Sequence, residues 1–139
     1  IIEQLAPGII VPFSVLEEVK AGMHKDSTAE DAVNWATQFE RPDISVPPTV
    51  ERWDLGAGES QVISFCVQGG RWAVLDDRMA RRCIGAHGLQ MIGSLGMILR
   101  AKRFGVIESA RPWAYKLREN GMFVDSELVE RSLVAVGEP

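Results

Sequence analysis

The sequence predicts an α/β fold with three layers, α/β/α, around a central and mainly parallel β-sheet. The first observation is that short apolar runs alternate with longer segments whose apolar residues follow helical spacing. The second is that glycine or proline separates most of these segments, as expected where strands and helices end. Strands that alternate with helices along a chain form parallel sheets that helices cover on both faces.

The first half of the chain is predicted to begin with a strand followed at once by a helix. Ser14 and Glu17 match a capping box, which places the helix start just after the apolar run that Pro12 ends. Glu30 and Asp31 are acidic residues in what would be a first turn, and they indicate a second helix, which Pro42 ends. The predicted elements are a strand over residues 9–11, helices over 14–21 and 27–41, and a strand over 44–46.

The second half is predicted to alternate helices with strands and then to continue as helices alone. Gly56 and Gly58 precede the first of these helices, and Gly105 is expected to end a later one in the C′ position. The predicted helices cover residues 59–69, 78–86, 94–104, 112–121 and 126–136, and the predicted strands cover 72–75 and 89–92. Because no strand separates the last two helices, residues 107–139 are expected to form a helical extension of one domain that covers residues 1–139.

Composition and charge narrow the class of protein. The hydrophobic fraction of 46% and the charged fraction of 24% are those of a globular protein, and no apolar run reaches the roughly 18 residues of a membrane span. The net charge of −4 gives no whole-molecule attraction to nucleic acid. Residues 71–103, however, carry seven Arg and Lys against two acids, which predicts a local phosphate-binding face.

The cysteines and histidines are predicted to have structural roles. Cys66 and Cys83 lie in predicted helices and are expected to be reduced and buried in a cytoplasmic protein that has no contact with a membrane. A zinc site would need more Cys and His residues at ligand spacing. His24 and His87 are interpreted as surface or helix-capping residues rather than as catalytic bases.

Four acidic residues are the candidates for chemistry. Asp76 and Asp77 follow the apolar run of residues 72–75, at the carboxyl end of a predicted strand, where open α/β sheets bind ligands. Adjacent carboxylates repel each other unless a cation or strong hydrogen bonds hold them. Glu18 borders the inner face of the first helix, and Glu59 begins the helix after the glycines. Together they predict a site for Mg²⁺ or Mn²⁺; alternatively, the aspartates form a turn and N-cap, and Glu59 is a helix-start acid.

The order of short motifs resembles the PIN-domain superfamily, and more closely a bacterial and archaeal branch related to toxin ribonucleases. The run IIVPFSVLEEV matches the strand, proline and acid-bearing helix of that branch, and the helical tail fits as well, so the resemblance covers nearly the whole chain. The matching motifs are Gly58-Glu59, Asp76-Asp77-Arg78, Gly93-Ser94-Leu95-Gly96 and Ala101-Lys102.

The resemblance implies an endoribonuclease that depends on Mg²⁺ or Mn²⁺ and acts on single-stranded RNA. It further implies a possible toxin of a toxin–antitoxin pair, with an antitoxin protein as partner, and a homodimer. By position, Glu18, Glu59 and Asp77 correspond to catalytic metal ligands, and Asp76 supports them. The candidate nucleic-acid contacts are Arg78, Arg81, Lys102 and Ser94, where Ser94 keeps the hydroxyl of the threonine that is usual in the family.

One departure from the family pattern concerns its first acid, which follows an N-terminal strand. Nothing before residue 9 supplies that acid, and residues 1–5 resemble the tail of the helix that would follow the strand. The first strand is therefore expected to be missing from this chain, which begins with Ile1 rather than Met. With the full N-terminus the chain is expected to be an active ribonuclease, and as it stands nearly inactive.

Two other interpretations compete with the nuclease. A catalytically degenerate PIN-like module would bind RNA or protein without cleaving it. A signalling domain of the response-regulator type is also α/β with acids at strand ends, but it needs a phosphoacceptor aspartate and a downstream lysine that the sequence does not place clearly.

Overall fold

A computed structural model describes residues 1–22, 28–122 and 124–139. These residues form, in chain order, α1 (Ile2–Leu5), β1 (Val11–Pro12), α2 (Phe13–Ala21), α3 (Thr28–Thr37), β2 (Glu40–Arg41), α4 (Pro48–Glu51), α5 (Ala57–Gly69), β3 (Ala73–Val74), α6 (Arg78–Ala86), β4 (Met91–Ile92), α7 (Ser94–Arg103), α8 (Arg111–Glu119) and α9 (Ser126–Ala135). The chain divides into two compact units, Ile9–Ile92 and a second unit of Ile1–Gly8 with Gly93–Pro139.

The strands pair in parallel, which confirms the α/β class. In the first pair Val11 of β1 lies opposite Glu40 of β2, and in the second pair Ala73 of β3 lies opposite Met91 of β4. Within the described residues the four strands form these two separate pairs rather than one continuous sheet. Each strand has only two residues, and a helix or a loop begins directly after it.

The unit Ile9–Ile92 is organised around α5, which packs against α2, α4, α6, β1 and β3. Its larger core is formed by Val50, Ile63, Cys66, Ala73, Leu75, Ala80, Cys83 and Ile84, and a smaller core by Leu16, Val33 and Ala36. Both cysteines are buried and free, as predicted. Burial raises the pKa of the Cys66 and Cys83 thiols, an effect that Arg71 and Arg52 respectively oppose.

The second unit is helical, which confirms the elements predicted for the C-terminal part of the chain. Ile98, Ala110, Ala114, Val129 and Leu133 form its core. Arg111 and Tyr115 of α8 bind Glu130 of α9, and the hydrogen bond from Tyr115, followed by that from Arg111, lowers the pKa of the Glu130 carboxyl. Among the helices of the described residues, none is both long and apolar enough to cross a membrane.

Two predicted features of the first half are wrong. The Ser14–Glu17 capping box does not form, because α2 begins at Phe13 and Ser14 instead donates hydrogen bonds through its N–H (2.9 Å) and its hydroxyl to the Asp43 carboxylate. Residues 44–46 are not a strand. The side-chain amide of Gln61 binds both backbone groups of Ile44, at 2.9 and 2.8 Å, and so replaces a neighbouring strand.

The second predicted helix is shorter at its C-terminus than expected. Helix α3 ends at Thr37, and Glu40 and Arg41 pair as β2 before Pro42 is reached. The predicted start at Ser27 and the interpretation of His24 lie outside the described residues.

Candidate active site

The Glu18 carboxylate lies at the N-terminus of α5. Leu16, buried on the inner face of α2, fixes that helix against the core, and α2 packs directly against α5. Glu18 Oε1 accepts a hydrogen bond of 2.9 Å from the backbone N–H of Gly58, the second residue of α5. The first N–H groups of a helix have no partner within the helix and favour anions. The start of α5 therefore supplies a donor that fixes one oxygen of the Glu18 side chain in place.

Glu59 follows Gly58 in the same first turn of α5 and is partly buried. Its side chain reaches back over the N-cap residue, since a Cβ built on Gly56 would lie 2.5 Å from Glu59 Oε2. The structure thus brings two of the predicted acids, Glu18 and Glu59, to one helix turn. Neither Glu18 Oε2 nor the Glu59 carboxylate has a hydrogen-bond partner within residues 1–22, 28–122 and 124–139.

Asp77 is the N-cap of α6, which is the structural alternative to a metal ligand that the sequence allows. Its Oδ2 atom accepts a hydrogen bond of 2.9 Å from the N–H of Ala80. Asp76, the residue before Asp77, is exposed. The aspartate pair follows β3, as predicted, and Asp77 Oδ1 has no hydrogen-bond partner in the described part of the chain.

A metal centre with three or more protein ligands is not formed by the residues that the structure describes. The donor chemistry at the start of α5 nevertheless fits Mg²⁺ or Mn²⁺, which are hard ions that prefer oxygen. Mg²⁺ is commonly held by one or two carboxylates while water fills its remaining positions. Glu18 and Glu59 supply that number of carboxylates, and the roles of Asp76 and Asp77 as ligands stay predictions.

The predicted nucleic-acid contacts fall in both units. Arg78 and Arg81 are exposed on α6, and Arg82 lies on the same face because helix residues three and four apart are neighbours. In the second unit Ser94 is the first residue of α7. The Lys102 ammonium is held by the carbonyl of Glu108 and lies 3.6 Å from Glu138 Oε1, so it has structural partners of its own.

His87 has the capping role that the sequence predicts. It is the C-cap residue of α6, and its Nδ1 atom lies 2.8 Å from the carbonyl oxygen of Cys83. A carbonyl oxygen only accepts hydrogen bonds, so the ring proton lies on Nδ1 in this contact.

Sequence reasoning did not identify Gly58 as the partner of Glu18 or Asp43 as the partner of Ser14. The signal for Gly58 is its position directly before Glu59 inside a helix, where glycine is a poor helix former. No sequence signal indicates Asp43, which lies 29 residues from Ser14.

The parallel strand pairs, together with carboxylates at the first turn of α5, define an α/β domain with an acidic site. A family model described as a PIN domain matches residues 1–138, and the chain belongs to the PIN-domain family. Proteins of this family have a nuclease-like fold and generally depend on divalent metal ions. Neither the curated proteins nor the solved structures give a significant match to this chain.

Proposed function

We propose that this protein is a metal-dependent endoribonuclease that cleaves single-stranded RNA. The observation that carries the proposal is the pair of carboxylates, Glu18 and Glu59, at the first turn of α5 in a chain of the PIN-domain family. A divalent ion bound there supplies Lewis-acid chemistry, which polarises a phosphate oxygen and activates water.

The residues of the chain have separate roles in this proposal. Glu18 and Glu59 hold the ion, and Gly58 donates to one oxygen of Glu18. Asp77 has Oδ1 left for a ligand, because Oδ2 caps α6. Its proposed role, like that of Asp76, is additional to the Glu18 and Glu59 pair, since no three-ligand group forms among the described residues. Arg78 and Arg81 are exposed and neutralise backbone phosphates of the RNA.

The test is a gel assay of labelled single-stranded RNA with the protein expressed from its complete gene. The wild type should cleave in Mg²⁺ or Mn²⁺ and not in EDTA. Asp77→Asn should abolish cleavage and still fold, because asparagine caps a helix about as well as aspartate does. His87→Ala is the control and should keep its activity, because His87 only caps α6. Full cleavage activity in Asp77→Asn would overturn the proposal that these carboxylates carry the reaction. Loss of cleavage in His87→Ala alone would overturn it as well.

The second candidate function is an RNA- or protein-binding module that does not cleave. It is favoured by the absence of a three-ligand metal group among the described residues. Under this alternative the wild type binds single-stranded RNA in a gel-shift experiment, and its binding is the same in EDTA and in Mn²⁺. Metal-dependent cleavage in the first assay excludes it.

The toxin role, the antitoxin partner and the homodimer stay predictions that rest on the resemblance, and the cytoplasmic location stays a prediction that rests on the two free cysteines. Growth arrest on expression of the wild type, but not of Asp77→Asn, would support a toxin that acts by RNA cleavage. Sedimentation of the purified protein as a monomer would contradict the homodimer.

A further inference from the structure

We propose that Gly58 is the positioning residue for Glu18: its amide orients the carboxylate, and its missing Cβ leaves the space that the carboxylate occupies. This inference rests on the proposed function, because it concerns how Glu18 is presented to a divalent ion. It assigns to Gly58 a role that is separate from holding the metal.

The contact between these two residues has two parts. The Gly58 N–H fixes Glu18 Oε1 at 2.9 Å, which leaves Oε2 available as a ligand. A Cβ at position 58 would lie 2.7 Å from Glu18 Oε2 and 3.0 Å from both Cδ and Oε1. Apart from the two neighbouring residues and the backbone of α5 itself, these three are the nearest heavy atoms, and all of them belong to Glu18. Any side chain at position 58 therefore meets the Glu18 carboxylate first.

Backbone conformation does not require glycine at position 58. Gly58 lies inside α5 and is not among the residues with positive φ, so its backbone is one that any L-residue adopts. Alanine is the better helix former at such a position. The chain therefore has a less favourable helix residue at a position where an added methyl group would meet the Glu18 carboxylate.

Substitution of Gly58 by alanine should move the carboxylate without unfolding the protein. The Glu18 side chain is flexible and exposed, so it can rotate away from the new methyl group. Loss of a residue that orients a metal ligand typically lowers metal affinity by about 10–100-fold. We expect Gly58→Ala to weaken Mn²⁺ binding by that factor.

Gly85→Ala is the matched control. Gly85 lies inside α6, its φ is not positive, and nothing lies within 4 Å of a Cβ built on it. This variant makes the same chemical change in a helix with no carboxylate in the way, so its Mn²⁺ affinity should equal that of the wild type.

A shorter acid gives a second, more specific test. In the double variant Gly58→Ala/Glu18→Asp, the carboxylate retreats by one methylene from the added methyl group. The alanine substitution should therefore weaken Mn²⁺ binding less in the Glu18→Asp background than in the wild-type background. A purely structural role of Gly58 gives the same loss in both backgrounds.

The experiment is calorimetric titration with MnCl₂ of the protein expressed from its complete gene, with a thermal melt of each variant. The inference predicts weaker binding in Gly58→Ala than in Gly85→Ala at similar melting temperatures, and partial recovery in the Glu18→Asp background. Equal affinity in Gly58→Ala and the wild type would overturn the inference alone. Absence of Mn²⁺ binding in the wild type would overturn the proposed function and, with it, the inference.

Discussion

Glu18 and Glu138 are two carboxylates at helix N-termini, but their surroundings differ. Glu138 lies at the start of α8, where Oε1 accepts from the N–H of Ala110 at 2.6 Å and Oε2 from the N–H of Arg111 and the hydroxyl of Ser109, both at 3.0 Å. Its side chain is only 13% exposed. Glu18 is exposed and has one donor, Gly58, within the described residues.

The difference shows how one backbone feature can serve stability or chemistry. At Glu138 both carboxylate oxygens have donors from the protein, so the group contributes to folding and has little capacity left for a ligand. At Glu18 one oxygen is fixed and the other has no partner in the described part of the chain. An oriented carboxylate with an available oxygen is what a metal ion requires.

The largest expected effect separates these two carboxylates by activity. Glu18→Gln should lower the rate of RNA cleavage by about 100-fold or more, because a lost metal ligand removes several kcal/mol of charge stabilisation. Glu138→Gln should keep the wild-type rate, measured at neutral pH and a temperature well below its melting point. A reversed order of the two rates would break the comparison.

The second-largest expected effect distinguishes Glu138 from Glu18 by how the stability of the folded protein depends on pH. Hydrogen bonds from Ala110, and then from Arg111 and Ser109, lower the pKa of the Glu138 carboxyl from its ordinary value of 4.5. The pKa of Glu138 is lower in the folded protein than in the unfolded chain. The ionised Glu138 therefore stabilises the folded protein fully above about pH 4.5, and this stabilisation is lost as the pH falls through the folded-state pKa.

Glu138→Gln should therefore be less stable than the wild type at pH 7, and the difference should shrink towards pH 3. Urea unfolding midpoints over that range give the measurement. Glu119→Gln, which removes an exposed carboxylate of α8 that has no hydrogen bond among the described residues, is the control and should follow the wild type. A constant difference between Glu138→Gln and the wild type at every pH would contradict this account.

A smaller effect concerns Asp77, which has both a structural and a proposed catalytic role. Asp77→Ala should destabilise the protein by about 1 kcal/mol, because the N-cap of α6 loses its acceptor, whereas Asp77→Asn should be nearly neutral. Chemical denaturation of both variants checks this. If the two variants lose the same stability, the hydrogen bond to Ala80 does not stabilise α6.

The smallest expected effect concerns the salt dependence of RNA binding. Each phosphate contact on single-stranded RNA contributes about −0.7 to the slope of log K against log salt. Replacing both Arg78 and Arg81 by Gln should therefore make the slope less negative by about 1.4. Arg131→Gln, an exposed arginine of α9, is the matched control. An unchanged slope in the double variant would show that α6 does not contact the RNA backbone.

The sequence predicted the helices best where local signals end them. Helix α6 has its predicted bounds, and Gly70, Gly88 and Gly105 adopt the positive φ that favours glycine beyond a helix. Asp77 also follows β3 where the sequence placed it. These features depend on neighbouring residues, so they can be predicted without knowledge of the fold.

Contacts between distant residues could not be predicted in this way. The bond between Gln61 and Ile44 joins residues 17 apart and removes a predicted strand, and Asp43 takes the place of Glu17 beside Ser14. The contact between Glu18 and Gly58 spans 40 residues and depends on how α2 packs on α5. The sequence therefore predicted Glu18 and Glu59 as ligands of one site, while the Gly58 amide that fixes Glu18 at the first turn of α5 required the structure.

Thermal unfolding with and without Mn²⁺ tests the central claim most directly, namely that Glu18 belongs to a metal site at the start of α5. A ligand that binds only the folded protein stabilises it by about 2.7 kcal/mol at 100 times its dissociation constant. Millimolar Mn²⁺ should raise the melting temperature of the wild type and of Glu138→Gln relative to EDTA, and should raise that of Glu18→Gln far less. Identical melting curves of the wild type in Mn²⁺ and in EDTA, or an equal rise in Glu18→Gln, would contradict the claim.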